Sequence, residues 1–157
     1  MRFIHVGVGG FGRRWVEVLR NTPEAEVVGL VDVRQEALRQ ACETGGYAEG
    51  VCHSSLGDAL EAVSADAAVV STPPAFHEQD VVAAMEAGLD VISEKPMSDD
   101  PAACVRMLRT ARDTGRTYVV SQNYRYREQM WSLANLMRSG EMGEVGQLKM
   151  DFFMGVD

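Results

Sequence analysis

Residues 1–12 read MRFIHVGVGGFG, an apolar run of strand length that passes straight into a glycine-rich turn. Within it, Gly7-Val8-Gly9-Gly10-Phe11-Gly12 matches G-x-G-x-x-G, and Trp15, Val18 and Leu19 follow at a spacing that puts them on one face of a helix. Strand, tight turn and helix is the context in which this fingerprint has a physical task. Gly7 permits the turn, Gly9 lets backbone approach a pyrophosphate, and Gly12 allows the helix to pack closely on the strand, while the helix N-terminus faces the phosphates. Gly10 adds room, and Phe11 sits inside the same loop. A glycine-rich turn with no ligand would carry the same letters, so the next strand decides. Asp32 closes it 20 residues after Gly12, close to the interval of about 20 at which an acid meets the ribose hydroxyls. Loop and acid together point to a bound dinucleotide.

Asp32 also bears on which one. A carboxylate accepts hydrogen bonds from a free 2′-hydroxyl and repels a 2′-phosphate, which favours NAD; Arg34, two residues on, could pair with that phosphate if Asp32 turned away, which leaves NADP open. A methyltransferase binding S-adenosylmethionine is a rival use of such a loop and acid, and the far end of the sheet separates the two.

Apolar runs of strand character recur at 3–8, 26–32, 67–72, 89–93 and 117–121, with helix-patterned segments between them. That alternation predicts an α/β fold, a doubly wound parallel sheet of Rossmann type built from right-handed crossovers. Leu56, Ala59, Leu60 and Val63 share one helix face, and Val81, Ala84 and Met85 another. Gly88 and Gly115 stand where left-handed caps would end helices, and Asp100 before Pro101 is a good N-cap with proline at the first helical position. After Ser121 the composition turns polar and aromatic, so we expect a dinucleotide-binding domain over 1–123 and the beginning of a second α/β domain over 124–157. A helix over about 128–138 should turn Met130, Leu133, Ala134 and Met137 inward. The alternating run 147–152 reads as a strand with one wet face, and its lack of a following partner suggests the front portion of a longer two-domain protein.

Bulk properties narrow the function classes. The chain has 157 residues, 46% hydrophobic, and a net charge of −8, which fits a globular domain and argues against nucleic acid or an anionic membrane surface as partner. No apolar run approaches spanning length, and Met1 leads into a strand without the segments of a leader, so a cytoplasmic location is expected. Cys42, Cys52 and Cys104 lack C-x-x-C spacing, which fits reduced thiols rather than a disulfide frame, and no metal site is expected.

Lys95 is the candidate for chemistry. Of 15 basic residues only Lys95 and Lys149 are lysine, yet one is kept within Glu94-Lys95-Pro96, just past the strand 89–93, where open α/β sheets bind ligands. Lysine can trade protons and a guanidinium cannot. Glu94 either orients Lys95 or lowers the cost of its charge, and Lys95-Pro96 is a candidate cis bond. Across the crevice, Ser71-Thr72-Pro73-Pro74 forms an exposed turn that can lie over a flat ligand, with a hydroxyl from Thr72; His77 reads either as a ligand contact or as a local helix-start residue. His5 and His53 read as structural.

Taken together, the loop 7–12, Asp32, Ser71-Thr72-Pro73-Pro74 with His77, Glu94-Lys95-Pro96 and Gln122-Asn123-Tyr124-Arg125 resemble the N-terminal half of the Gfo/Idh/MocA oxidoreductases. The resemblance implies an NAD(P)-dependent dehydrogenase in which Lys95 hydrogen-bonds the reacting sugar or polyol hydroxyl and assists proton transfer. It implies that Ser71, Thr72, Pro73 and His77 flank the cofactor beside Glu94 and Lys95, with Asn123 and Arg125 near the nicotinamide end or the domain junction. The family normally adds a C-terminal domain that carries further acid-base residues, selects substrate and mediates homo-oligomer assembly; none of it is present in this sequence, so the piece alone is expected to bind cofactor without turnover. A non-catalytic dinucleotide sensor or scaffold would use the same loop and is the alternative.

Overall fold

The computed structural model describes residues 1–149 and Asp151. It divides into two compact units, Met1–Ser121 and Gln122–Asp157. The first alternates strand and helix: β1 (Arg2–Val6), α1 (Gly12–Arg20), β2 (Glu26–Val31), α2 (Gln35–Gly45), β3 (Cys52–His53), α3 (Leu56–Ala62), β4 (Ala67–Val70), α4 (Pro74–Glu86), β5 (Asp90–Ser93), α5 (Pro101–Thr114) and β6 (Tyr118–Val120). All strand pairs are parallel, in the order β3-β2-β1-β4-β5-β6. The order reverses between β1 and β4, and such a switch point opens a crevice at the carboxyl ends of the strands.

Apolar runs became strands because both faces are covered. β4 is Ala-Ala-Val-Val with every residue buried, the continuous pattern a parallel sheet requires. One core joins Ile4, Val6, Val70, Val81, Met85, Val91 and Met107; a smaller one joins Val8, Val16, Leu30, Leu38 and Cys42. α3 and α4 turn their expected faces inward, with Ala59, Val81, Ala84 and Met85 fully buried. In α1 the inward face is Gly12, Val16 and Leu19 rather than Trp15, Val18 and Leu19. Val18 is 51% exposed, because the close seat of Gly12 on β1 rotates the helix and sends Val18 to solvent. β3 escaped the sequence reading: two residues on the flank of β2, without an apolar run, carry no periodic signal.

The caps follow the expected chemistry. Asp100 accepts hydrogen bonds from the amides of Ala102 (2.9 Å) and Ala103 (3.2 Å), with Pro101 at the first helical position. Gly115 takes a left-handed conformation at the end of α5.

The second unit holds a short 3-10 turn over Asn123–Tyr126 and α6 (Glu128–Ser139). Arg127 stacks its guanidinium 4.0 Å from the centroid of the Tyr124 ring. Met130, Leu133 and Ala134 are half-buried as expected, while Met137 is exposed and no residue of α6 is fully buried. Gln147, Leu148, Lys149 and Asp151 form no strand; their alternation has no ladder to join among the described residues. Met150 and Phe152 lie outside the described residues.

One buried polar side chain interrupts the core. His5 is fully inaccessible, with Nε2 2.8 Å from Ser71 Oγ, while the Ser71 hydroxyl donates to the Gly7 carbonyl at 2.9 Å. Since the hydroxyl hydrogen is spent on Gly7, the proton between the two side chains belongs to Nε2, and Nδ1 has no partner. This is a neutral imidazole. Burial pushes its pKa down from 6.5 to about 3, with the Asp32 carboxylate opposing weakly. An unfolded chain therefore takes up a proton at His5 below pH 6.5 and the folded chain does so only near 3. The stability this residue supplies is complete above the upper value and is lost toward the lower one, by about 1.4 kcal/mol per pH unit. Urea unfolding of the wild type and of His5→Gln at pH 7, 6 and 5 should show the wild type losing stability more steeply; parallel slopes would refute the assignment.

Candidate dinucleotide and substrate site

The carboxyl ends of the strands are brought level by one row of hydrogen bonds. Gly7 N–H donates to Val31 O, Ser71 N–H to Val6 O and Glu94 N–H to Val70 O, each at 2.8 Å, and Asp32 N–H reaches His53 O at 3.3 Å. The residue after each strand thus leaves the sheet at the same height. Above them lies a cavity of about 870 Å³ lined by Gly7, Gly9, Gly10, Phe11, Asp32, Arg34, Ser71, Thr72, Pro73, Glu94 and Lys95. That is a volume typical of small-molecule and cofactor sites. Eleven of the expected site residues meet here.

The glycine loop has the geometry its letters demand. Gly7 has φ +85°, which a side chain would strain, and a Cβ there would lie 2.6 Å from Thr72 N. Gly12 does not line the cavity; a Cβ on it would collide with the Gly7 carbonyl, so its part is to let α1 close on β1. At Gly10, with φ +47°, nothing lies within 4 Å of the place a Cβ would take, so the loop is open there.

Asp32 is 8% exposed and held by three donors. Its Oδ2 accepts from Gly9 N–H at 3.0 Å, and its Oδ1 from the Arg34 amide at 2.9 Å and Arg34 Nε at 3.3 Å. The carboxylate therefore points back over the glycine loop. Arg34 runs with it: the space beside Gly9 that a side chain would take is filled by its guanidinium.

On the other side, Glu94 and Lys95 behave differently from a simple ion pair. Glu94 is 8% exposed; Oε1 accepts from Trp15 Nε1 at 2.9 Å and Oε2 from the Lys95 amide at 3.1 Å. Glu94 thus braces the backbone of Lys95, and the Lys95–Pro96 bond is cis. The exposed Lys95 ammonium sits 5.6 Å from the centroid of the Phe11 ring, and no salt bridge among the described residues takes it. Trp15 is a support that sequence reading missed; it lies 79 residues from Glu94 along the chain, and no local pattern links the two.

His77 does not line the cavity. It is 1% exposed, with Nε2 2.7 Å from Thr72 O and Nδ1 3.0 Å from Pro96 O and 3.3 Å from Met97 O. The expectation of a cofactor contact is corrected on this point: the buried ring lies between the Thr72 turn and the Pro96 turn, with backbone carbonyl oxygens of each against its nitrogens. Thr72 Oγ1 in turn donates to Asp80 Oδ2 at 2.8 Å. Asp80, also missed, lines the cavity; burial pushes its carboxyl up, against the Thr72 hydrogen bond and the His77 charge. Asn123 and Arg125 belong to the second unit, in its 3-10 turn. No group of three or more His, Cys, Asp or Glu among the described residues could hold a metal ion. No helix among them is long and apolar enough to cross a membrane.

Comparison with known proteins agrees with this architecture. Residues 1–122 match the model of the Gfo/Idh/MocA oxidoreductase family, NAD-binding Rossmann fold. An uncharacterized protein, y4oX, of Sinorhizobium fredii is 32% identical over 96% of this chain and 43% of its own length. An inositol 2-dehydrogenase of Leifsonia xyli is 32% identical over 90% of this chain and 42% of its own. Among solved structures, the WlbA dehydrogenase of Bordetella pertussis in complex with NADH and UDP-GlcNAcA is similar at a TM-score of 0.82 and 28% identity, covering 91% of this chain and 41% of that one. The chain thus spans less than half the length of these relatives. A level row of strand ends, a bare glycine loop and a carboxylate turned over it are the features of a nicotinamide-dinucleotide fold, and the chain belongs to the Gfo/Idh/MocA family of oxidoreductases.

Proposed function

We propose that this chain is the cofactor-binding part of an NAD(P)-dependent oxidoreductase that moves a hydride between nicotinamide and a secondary alcohol carbon of a sugar, inositol or related polyol. The observation that carries the reading is that Lys95, Asp32 and the glycine loop line one cavity. Residues 1–123 act as the dinucleotide-binding domain, and 124–157 begin a substrate domain that also mediates homo-oligomer assembly. Substrate selection and a partner acid-base group are supplied by that further domain.

In this reading the amides of Gly10 and Phe11 hold the diphosphate with the N-terminus of α1 behind them, while the Gly9 amide holds Asp32. Asp32 accepts hydrogen bonds from the ribose hydroxyls, and Thr72 and Pro73 flank the nicotinamide. The bound cofactor supplies the hydride chemistry. Lys95 holds the substrate oxygen, steadies the charge that develops on it and relays its proton. Glu94, fixed by Trp15, keeps the Lys95 backbone in place, and His77 sets the spacing between the two turns.

Two measurements test these roles. Fluorescence titration should show NADH binding more tightly than NADPH. Asp32→Ala should weaken NADH by about 10- to 100-fold, the value of one or two hydrogen bonds to a charged group, and weaken NADPH less. Equal losses for both would remove Asp32 from the ribose site. In a protein that includes the substrate domain, Lys95→Ala should keep NADH affinity within a few-fold and abolish turnover of sugars and inositols; unchanged turnover would remove Lys95 from the chemistry.

A further inference from the structure

Away from the crevice, two cysteines meet. Cys42 Sγ, in the second half of α2, lies 3.1 Å from Cys52 Sγ, at the start of β3, and the two thiols share a hydrogen bond. About 1 Å of approach separates this pair from a covalent sulfur–sulfur bond. They belong to different elements joined by residues 43–51 and neither lines the cavity. Cys104, on α5, makes no sulfur contact among the described residues. The pairing is therefore a product of the fold, since the sequence spacing of Cys42 and Cys52 matches no motif.

The surroundings give the two sulfurs different access. Cys42 is buried in the smaller core with Val8, Leu30 and Leu38, while Cys52 packs on the edge of that core and is partly exposed. β3 is held to β2 by only two register pairs, Leu30 with Cys52 and Val31 with His53. Beyond it, Ser54 and Ser55 line the cavity, and the His53 carbonyl receives the Asp32 amide. The cysteine pair sits at the root of the wall that faces Asp32.

We propose that Cys42 and Cys52 form a dithiol that closes to an intramolecular disulfide when the chain meets a disulfide oxidant of the glutathione class, clamping β3 to α2. In the first step the Cys52 thiolate attacks oxidised glutathione, forming a mixed disulfide and releasing one glutathione thiolate. In the second, Cys42 gives up its proton and attacks the Cys52 sulfur, and the second glutathione leaves. Two protein thiols are oxidised and one glutathione disulfide is reduced to two thiols. Burial and the hydrogen bond from Cys52 push the Cys42 thiol up to about 12, so the closing step should accelerate with pH.

The test uses the native chain, incubated with oxidised glutathione at pH 8.5, alkylated with iodoacetamide under denaturing conditions and weighed intact. The expected product is lighter than the reduced protein by two hydrogens before alkylation, and carries one alkyl group. Cleavage after glutamate separates the three cysteines, because Glu43, Glu49 and Glu61 flank Cys42 and Cys52 while Cys104 follows Glu94. The map should show 37–43 joined to 50–61, with the alkyl group on Cys104. Cys104→Ser should retain the crosslink, and Cys42→Ser and Cys52→Ser should each lack it. Three alkylated cysteines, a glutathione adduct that persists on Cys52, or a crosslink through Cys104 would each overturn the proposal, and the wild-type map decides without any variant.

Discussion

The site depends on the last rung of the parallel ladder. Because Gly7, Ser71 and Glu94 each donate an amide to the final strand residue of a neighbour, four chain segments distant in sequence leave the sheet at one level. A parallel sheet has evenly spaced rungs, so this level is fixed by register and not by any contact between the site residues themselves. A slip of one residue in β4 or β5 would turn Ser71 or Glu94 to the opposite face and take it out of the crevice.

Beneath that row lies a second layer of polar side chains that never reach the cavity. His5 holds Ser71, which holds the Gly7 carbonyl; His77 ties the Thr72 turn to the Pro96 turn; Trp15 holds Glu94, which holds the Lys95 amide. Each link joins one strand end to another element. A buried polar group without a partner costs about 1–3 kcal/mol, so each of these links penalises any loop arrangement that would break it. The turns are thereby stiffened by groups that make no call on the ligand.

How much of this was legible in the sequence follows from physical range. The placing of the glycine loop, Asp32 and Lys95 was readable because what sets it is local: a positive φ, a strand end, a fixed interval along the chain. The helix caps at Asp100 and Gly115 were readable for the same reason. The face of α1 was misplaced because Gly12 sets the helix rotation through a contact with β1 that periodicity cannot express, and β3 was invisible because two residues make no pattern. His77 was found but its task was not, since its partners are backbone carbonyls contributed by two different turns. Trp15 matters only through Glu94, 79 residues along the chain, so no signal near it could have marked it; Asp80 meets Thr72 only eight residues back, but through a turn whose shape the letters do not express.

The guanidinium that lies beside Gly9 sets the local charge of the crevice. The carboxylate of Asp32 already has a tethered counter-ion, and the loop's bare flank is already covered by it. An anion that settles on this loop meets a cation on a short leash, whose charge is within reach of it. The crevice thus holds both signs of charge side by side, a carboxylate for hydrogen-bond donors and a guanidinium for anions.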